Sequence, residues 1–104
     1  MTDKIAIIAK LSAAEGKADE LRSALESLIA AAHSESGLEV YFAGTNAKDD
    51  TDLYFFEIYA DDEAFAVHGK GEDMKDAMRG LGGLLAGAPE IIKLDPVVAK
   101  GLDL

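Results

Sequence analysis

The stretch "YFFEIYADDEAFAVH", residues 54–68, decides the predicted fold because it joins an apolar strand to a short helix. Its first half is aromatic or aliphatic except for Glu57, a composition that is typical of a strand. Asp61 stands where the N-cap of a helix is expected, and the two acids after it suit the positive end of a helix dipole. We therefore expect a strand followed by a helix that carries His68.

The rest of the chain supplies the remaining elements of an α+β domain. The expected segments are a strand at 4–11, a helix from about 17 to 34, strands at 38–44 and 53–60, a second helix that resumes near 72, and a last strand at 90–98. The order strand, helix, strand, strand, helix, strand predicts a ferredoxin-like βαββαβ fold with four antiparallel strands. We expect one domain over residues 1–104, with both helical segments on one side of the sheet.

The strands are apolar on both faces, which a two-layer domain of this size cannot cover by itself. In the third strand, Tyr54, Phe56 and Ile58 point to one side, and Phe55, Glu57 and Tyr59 point to the other. Helices cover one of these faces, and the other is left as an exposed apolar patch of the kind that marks an interface. The sequence therefore predicts a homodimer formed through the sheet faces.

Composition excludes several classes of function. Twenty acidic against ten basic residues give a net charge of -10, which repels nucleic acid and anionic membranes. The chain has no cysteine and only two histidines, so a metal site is not expected. Neither a signal peptide nor an apolar run long enough to cross a bilayer is evident, and we expect a cytoplasmic protein.

Three segments carry a resemblance to a known family. They are "EGKADEL" at 15–21, "ESGLEVY" at 35–41 and "FFEIYADDEAFAVH" at 55–68. With them the sequence resembles the antibiotic biosynthesis monooxygenase (ABM) superfamily, including its quinol monooxygenase-like members. The resemblance implies a dimeric α+β barrel. It also implies oxidation of a small phenolic or quinol-type aromatic by O2, without metal or flavin cofactor.

One branch of the superfamily degrades haem, and the resemblance does not extend to it. That branch carries an asparagine on the first strand, a tryptophan at the end of the third and a histidine on the following helix. The corresponding positions here are Ala9, Tyr59 and Met78. Haem degradation is therefore not expected.

The resemblance implies a site around His68 and Glu57 as catalytic residues, with Phe55, Tyr59 and Met78 binding the substrate. His68 can titrate near neutrality, and a buried Glu57 can act as an acid or base. A structural interpretation stays open for each residue. His68 can instead bond to a backbone carbonyl, Glu57 can bond to a tyrosine or across a dimer interface, and the substrate-binding residues can belong to the core.

Two other classes of function also stay open. An isomerase of a small hydroxy-ketone would use the same pair for proton transfer without oxygen, and a catalytically silent dimer would only bind an apolar metabolite. Tyr41 is expected in the core or the interface, and the glycine-rich stretch at 80–87 is expected to let the covering helix move.

Overall fold

The structure, a computed structural model, describes residues 2–104 and contains four strands and three helices. The strands are β1 (Ile5–Ser12), β2 (Leu38–Asn46), β3 (Asp49–Tyr59) and β4 (Glu90–Leu94). The helices are α1 (Ala18–Ala32), α2 (Asp62–Val67) and α3 (Glu72–Arg79). No helix within residues 2–104 has the length and apolar character to span a membrane.

The four strands form one sheet in the order β2-β3-β1-β4, and each neighbouring pair is antiparallel. The two central strands are the first and third along the chain, and the two outer strands are the second and fourth. This order, with the helices following β1 and β3, confirms the predicted ferredoxin-like α+β fold.

The inner face of the sheet, which packs on the helices, supplies most of the core. From β1 and β3 it contributes Ile5, Ile7, Ala9, Leu11, Leu53, Phe55 and Tyr59, all buried. Leu21 and Leu28 of α1 and Met74 of α3 close over them and are themselves buried. Burial of each large apolar side chain contributes roughly 1.5–3 kcal/mol, so this layer holds the helices on the sheet.

The outer face of the sheet is apolar too, as the alternation in the sequence predicted. The strand register places Phe42, Phe56, Ile8 and Ile92 side by side in one row across all four strands. Phe42 is 63% exposed and Ile92 is 55% exposed. No element within residues 2–104 buries either of these two side chains.

The hairpin and the last strand differ from the sequence-based boundaries. The predicted strands at 38–44 and 53–60 leave the polar segment "TNAKDDTD" between them, but β2 continues to Asn46 and β3 begins at Asp49, so that only a two-residue turn remains. Asp49 accepts hydrogen bonds from the backbone and side chain of Thr51, which orders these polar residues next to the turn. In the other direction, β4 ends at Leu94 and not at 98, two residues before Pro96.

The second helix was predicted correctly at its start and incorrectly at its end. The Asp61 carboxylate accepts a hydrogen bond from the Ala64 backbone N–H at 2.8 Å, which confirms it as the N-cap. The helix then ends at Val67, so the expectation that His68 lies on it is wrong. His68 is the C-cap, with a non-helical ψ of 131°, and Gly69 follows with a φ of +83°. The positive φ favours glycine and reverses the chain there.

Candidate functional site

A cavity of about 550 Å³ lies between the inner face of the sheet and the segments that cover it. Four of the five predicted site residues line it: Phe55, Glu57, His68 and Met78. Tyr59 is not among the lining residues and is fully buried behind them. Among residues 2–104, the lining includes no lysine or arginine, so its ionisable character comes from one carboxyl, one imidazole and the phenol of Tyr41.

Glu57 brings a carboxyl group into the apolar centre of the inner face. It lies between Ile7 of β1 and Tyr41 of β2 in the strand register and is only 6% exposed. Burial raises the pKa of this carboxyl above its ordinary value, although the hydrogen bond from Tyr59 and the nearby His68 oppose that rise. Glu57 therefore keeps its proton to a higher pH than an exposed glutamate does.

Tyr59 supports Glu57 from the interior of the protein. Its hydroxyl donates to Glu57 Oε1 at 2.5 Å, and both groups are buried. Burial, the hydrogen bond to Glu57 and the charge of Glu57 raise the pKa of the Tyr59 phenol, so it remains a donor at neutral pH. Glu57 therefore has the hydrogen bond to a tyrosine that its structural interpretation predicted. The prediction that Tyr59 binds the substrate differs from the structure, in which Tyr59 holds Glu57 and does not border the cavity.

His68 is held by a second carboxylate, from the turn between α1 and β2. Its Nδ1 lies 2.8 Å from Oε1 of Glu35, and both side chains are 13% exposed. The rings of Tyr41 and Tyr59 meet the imidazole edge to face, with centroids 5.7 and 5.4 Å away. The partner of His68 is thus a carboxylate and not the backbone carbonyl that the alternative interpretation supposed.

Close packing between two connections brings Glu35 to His68. Gly37, in the turn before β2, lies against α2, and its carbonyl accepts a hydrogen bond from the Ala60 N–H at 2.8 Å. A Cβ at Gly37 would stand 2.5 Å from the Cβ of Ala64, so only glycine permits this approach. The turn that carries Glu35 is thereby held against α2, whose C-cap is His68.

Tyr41 takes part in the site, although the sequence placed it in the core or the interface. It lines the cavity and stacks on Phe55, with ring centroids 4.8 Å apart at an interplanar angle of 28°. Burial and the neighbouring Glu57 and Glu35 raise the pKa of its phenol. The ring of Tyr41 therefore forms part of the cavity wall, and its hydroxyl stays protonated at neutral pH and cannot act as a base.

The glycine-rich segment covers the far side of the cavity. α3 ends at Arg79, before this segment, and Leu81, Gly82, Gly83 and Leu85 contribute to the lining. Hydrogen bonds between backbone groups hold its end to the end of β1, since the Leu84 carbonyl accepts from Ala14 and the Ala86 N–H donates to Ser12. The cover is a loop without large polar side chains facing the cavity, and its far end is anchored to the sheet.

Glu35 is the site residue that sequence reasoning missed. It belongs to the segment "ESGLEVY", which was noted for its resemblance to a family and not for its chemistry. The signal that could have identified it is the glycine two residues later, which marks a close approach of the backbone to another element. Nothing local to the turn indicates that the partner would be a histidine 33 residues further along.

Taken together, the site has one polar end and an otherwise apolar lining. A carboxyl with a raised pKa and an imidazole held by a carboxylate both border the same cavity, and aromatic rings from Phe55 and Tyr41 form its wall. A small, largely apolar molecule can occupy such a space, and a proton can pass between a polar group of that molecule and the two side chains.

Comparison with known proteins agrees with this architecture. The family model described as antibiotic biosynthesis monooxygenase matches residues 4–80. No curated protein sequence matches the chain.

Solved structures cover almost the whole chain. A candidate antibiotic biosynthesis monooxygenase of Caulobacter crescentus is 30% identical, with a TM-score of 0.84 over 93% of this chain and 92% of that one. A Pseudomonas aeruginosa protein is 28% identical, with a TM-score of 0.83 over 94% and 98% of the two chains. A Nitrosomonas europaea protein of unknown function is 27% identical, with a TM-score of 0.82 over 96% and 95%. The chain belongs to the antibiotic biosynthesis monooxygenase family.

Proposed function

We propose that this protein is a cofactor-independent monooxygenase that oxidises a small phenolic or quinol-type aromatic with O2. The observation that carries the proposal is that Glu57 and His68 border one apolar cavity whose wall includes aromatic rings. Membership of the family and the candidate monooxygenase from Caulobacter crescentus support the same reaction class.

The proposed reaction begins with proton transfer from the bound hydroxyl group. His68 accepts that proton, and the electron-rich anion gives one electron to O2, which yields a substrate radical and superoxide. The two combine with formation of a C–O bond to give a peroxide. The protonated Glu57 donates to the distal oxygen and gives a hydroperoxide. The protonated His68 then returns its proton to that oxygen as the O–O bond breaks and water leaves, while the Glu57 carboxylate takes the hydrogen of the substrate carbon as a proton and the C–O group becomes a carbonyl. The substrate loses two hydrogens, one from the hydroxyl and one from the carbon, and gains one oxygen atom; the other oxygen atom leaves as water, and both side chains return to their starting protonation states.

The site is suited to this sequence of steps in two respects. The raised pKa of Glu57 keeps a donor available where an exposed glutamate would already be ionised. The apolar lining excludes water from the radical pair and strengthens the electrostatic contribution of the polar end.

Oxygen uptake tests the proposal directly. In metal-free buffer with a panel of hydroquinones and anthrones, the wild-type protein is expected to consume oxygen. The His68→Ala and Glu57→Gln variants are expected to be slower by on the order of 10²- to 10⁴-fold. His33→Ala and Glu26→Gln, which alter exposed residues of the same types, serve as matched controls and keep the wild-type rate. Uptake by the wild type no faster than by the two site variants would refute the proposal, and turnover without oxygen would indicate an isomerase.

We also propose that the functional unit is a homodimer joined through the outer face of the sheet. The row formed by Phe42, Phe56, Ile8 and Ile92 crosses all four strands and is partly exposed. A second copy that packs on this row removes the exposed apolar area from water, at roughly 25 cal/mol for each Å². The cavity lies on the inner face, so each subunit of the dimer carries its own site.

A further inference from the structure

The Glu35 side chain contacts His68 and does not line the cavity. Its Oε1 lies 2.8 Å from His68 Nδ1, and Glu35 is absent from the residues that border the cavity. A carboxylate accepts hydrogen bonds and does not donate them, so the proton of the contact resides on Nδ1. The second ring nitrogen, Nε2, is then the one left for a molecule in the cavity.

Two tyrosine rings also contact the imidazole of His68. Tyr41 of β2 and Tyr59 of β3 pack edge to face against it, at centroid distances of 5.7 and 5.4 Å. Tyr59 is buried in the core and Tyr41 packs against it. The imidazole therefore has one directional hydrogen bond, with Glu35, and two aromatic contacts.

Within residues 2–104, the Glu35 side chain makes no hydrogen bond other than the one with His68. Its second oxygen, Oε2, is buried and finds no donor among these residues, so the carboxylate braces no backbone N–H or second side chain. The contact with His68 is therefore the one side-chain hydrogen bond that Glu35 makes among these residues.

We propose that Glu35 is a positioning residue, which holds the Nδ1–H tautomer of His68 so that Nε2 faces the cavity as the proton acceptor. This inference rests on the proposed function, in which His68 takes the proton of the substrate. Glu35 affects the reaction only by setting the tautomer of His68, and it contacts neither the substrate nor the oxygen.

The tautomer can be measured without any substrate. In the protein labelled with ¹⁵N-histidine, long-range ¹H–¹⁵N correlation spectra distinguish a protonated from an unprotonated ring nitrogen. The spectra are recorded with rising pH until the imidazole of His68 shows the neutral pattern. We expect Nδ1 to carry the proton in the wild type. We expect the Glu35→Leu variant to shift towards the Nε2–H form, whereas Glu35→Gln, whose amide oxygen can still accept, keeps the wild-type form.

His33, exposed at the end of α1, is an internal reference whose signals should be the same in all three proteins. An Nε2–H form in the wild type, or a wild-type pattern in Glu35→Leu, would overturn the inference. If Glu35→Leu does not fold, the wild-type spectrum decides between the two tautomers by itself.

Kinetics then separate positioning from binding. Glu35→Leu is expected to lower kcat by about tenfold or more with little change in KM, because the residue lies outside the cavity, and Glu35→Gln is expected to recover part of that loss. An equal loss in the two variants would contradict the inference. Failure of all proteins to consume oxygen would remove the proposed function but leave the tautomer result standing, so the two failures are distinguishable.

Discussion

Glu57 lies between Ile7 and Tyr41 on the inner face of the sheet, where nearly every neighbour is apolar. Its position could be predicted from the sequence, because strict alternation along β3 assigns it to the same face as Phe55 and Tyr59. The hydrogen bond that it accepts from Tyr59 follows from the same alternation, since residues two apart on a strand share a face. Glu35 could not be found in this way, because its contact depends on how two separate turns approach each other.

The raised pKa of Glu57 has a consequence for stability. A carboxyl whose pKa is higher in the folded than in the unfolded protein binds its proton more tightly when the protein is folded. The stabilisation from this proton binding is fully present below the unfolded pKa of 4.5 and is lost as pH rises through the folded pKa. We expect Glu57→Gln, which has no such group, to gain stability relative to the wild type as pH rises above 4.5. The gain is about 1.4 kcal/mol for each unit of pKa shift.

Urea unfolding at a series of pH values measures this difference. Glu26→Gln removes an exposed carboxyl from α1 and serves as the matched control for the loss of a carboxyl group. A constant difference between the wild type and Glu57→Gln from pH 4 to pH 8 would show that burial does not raise the pKa of Glu57.

The turn between α1 and β2 connects the helical layer to the sheet and carries Glu35 into the site. Helix and strand types could be predicted here from the period of the apolar residues, since Leu21 and Leu28 recur on one side of α1. The ends of the elements were harder to predict, because local hydrogen bonds decide them. The polar residues at 49–52 joined β3 through pairing with β1 and β2, and α2 stopped one residue before His68.

The contact between this turn and α2 should be sensitive to a single methyl group. In Gly37→Ala the new Cβ meets the Ala64 Cβ, so we expect a loss of about 1–3 kcal/mol in the free energy of unfolding and a weakened contact between Glu35 and His68. Chemical denaturation measures the first effect, and the ¹⁵N spectrum of His68 measures the second.

Two further variants make this prediction specific. Gly87→Ala adds a methyl group where no heavy atom lies within 4 Å, so its stability should change by no more than about 0.5 kcal/mol. In the Gly37→Ala/Ala64→Gly double variant the two methyl groups no longer meet, and part of the loss should be recovered despite the cost of glycine in a helix. A single Gly37→Ala variant as stable as Gly87→Ala would contradict the steric account.

The whole molecule is a ferredoxin-like sheet with helices on one face and a partly exposed apolar row on the other. Sequence alone could predict this architecture, because the order of elements and the double-sided apolar strands leave few other arrangements. It could not predict the cavity, whose shape depends on how the loop from Leu81 to Leu85 packs over the inner face. That packing arises from long-range contacts which no local pattern encodes.

The exposed row predicts how the dimer can be broken. Phe42→Glu places a charge in the exposed row that forms the proposed interface, where a buried and unpaired carboxylate is costly, and we expect monomers with unchanged secondary structure. Light scattering at micromolar concentration should give the mass of the chain, 11.0 kDa, for this variant and twice that mass for the wild type.

Val67→Glu serves as the control for the dimer, because Val67 is 48% exposed on α2 in the helical layer. This variant should remain dimeric. A wild type that scatters as a single chain at the same concentration would refute the proposed interface.

In the proposed function, the cavity bordered by Glu57 and His68 uses molecular oxygen to oxidise a hydroxylated aromatic compound. Turnover of an anthrone under ¹⁸O₂, with mass spectrometry of the product extracted early in the reaction, shows whether an atom of that oxygen enters the product. We expect one ¹⁸O atom in each product molecule from the wild type, and almost no labelled product from His68→Ala or Glu57→Gln in the same time. Product without ¹⁸O, or labelled product formed equally fast by the two variants, would refute the proposed function.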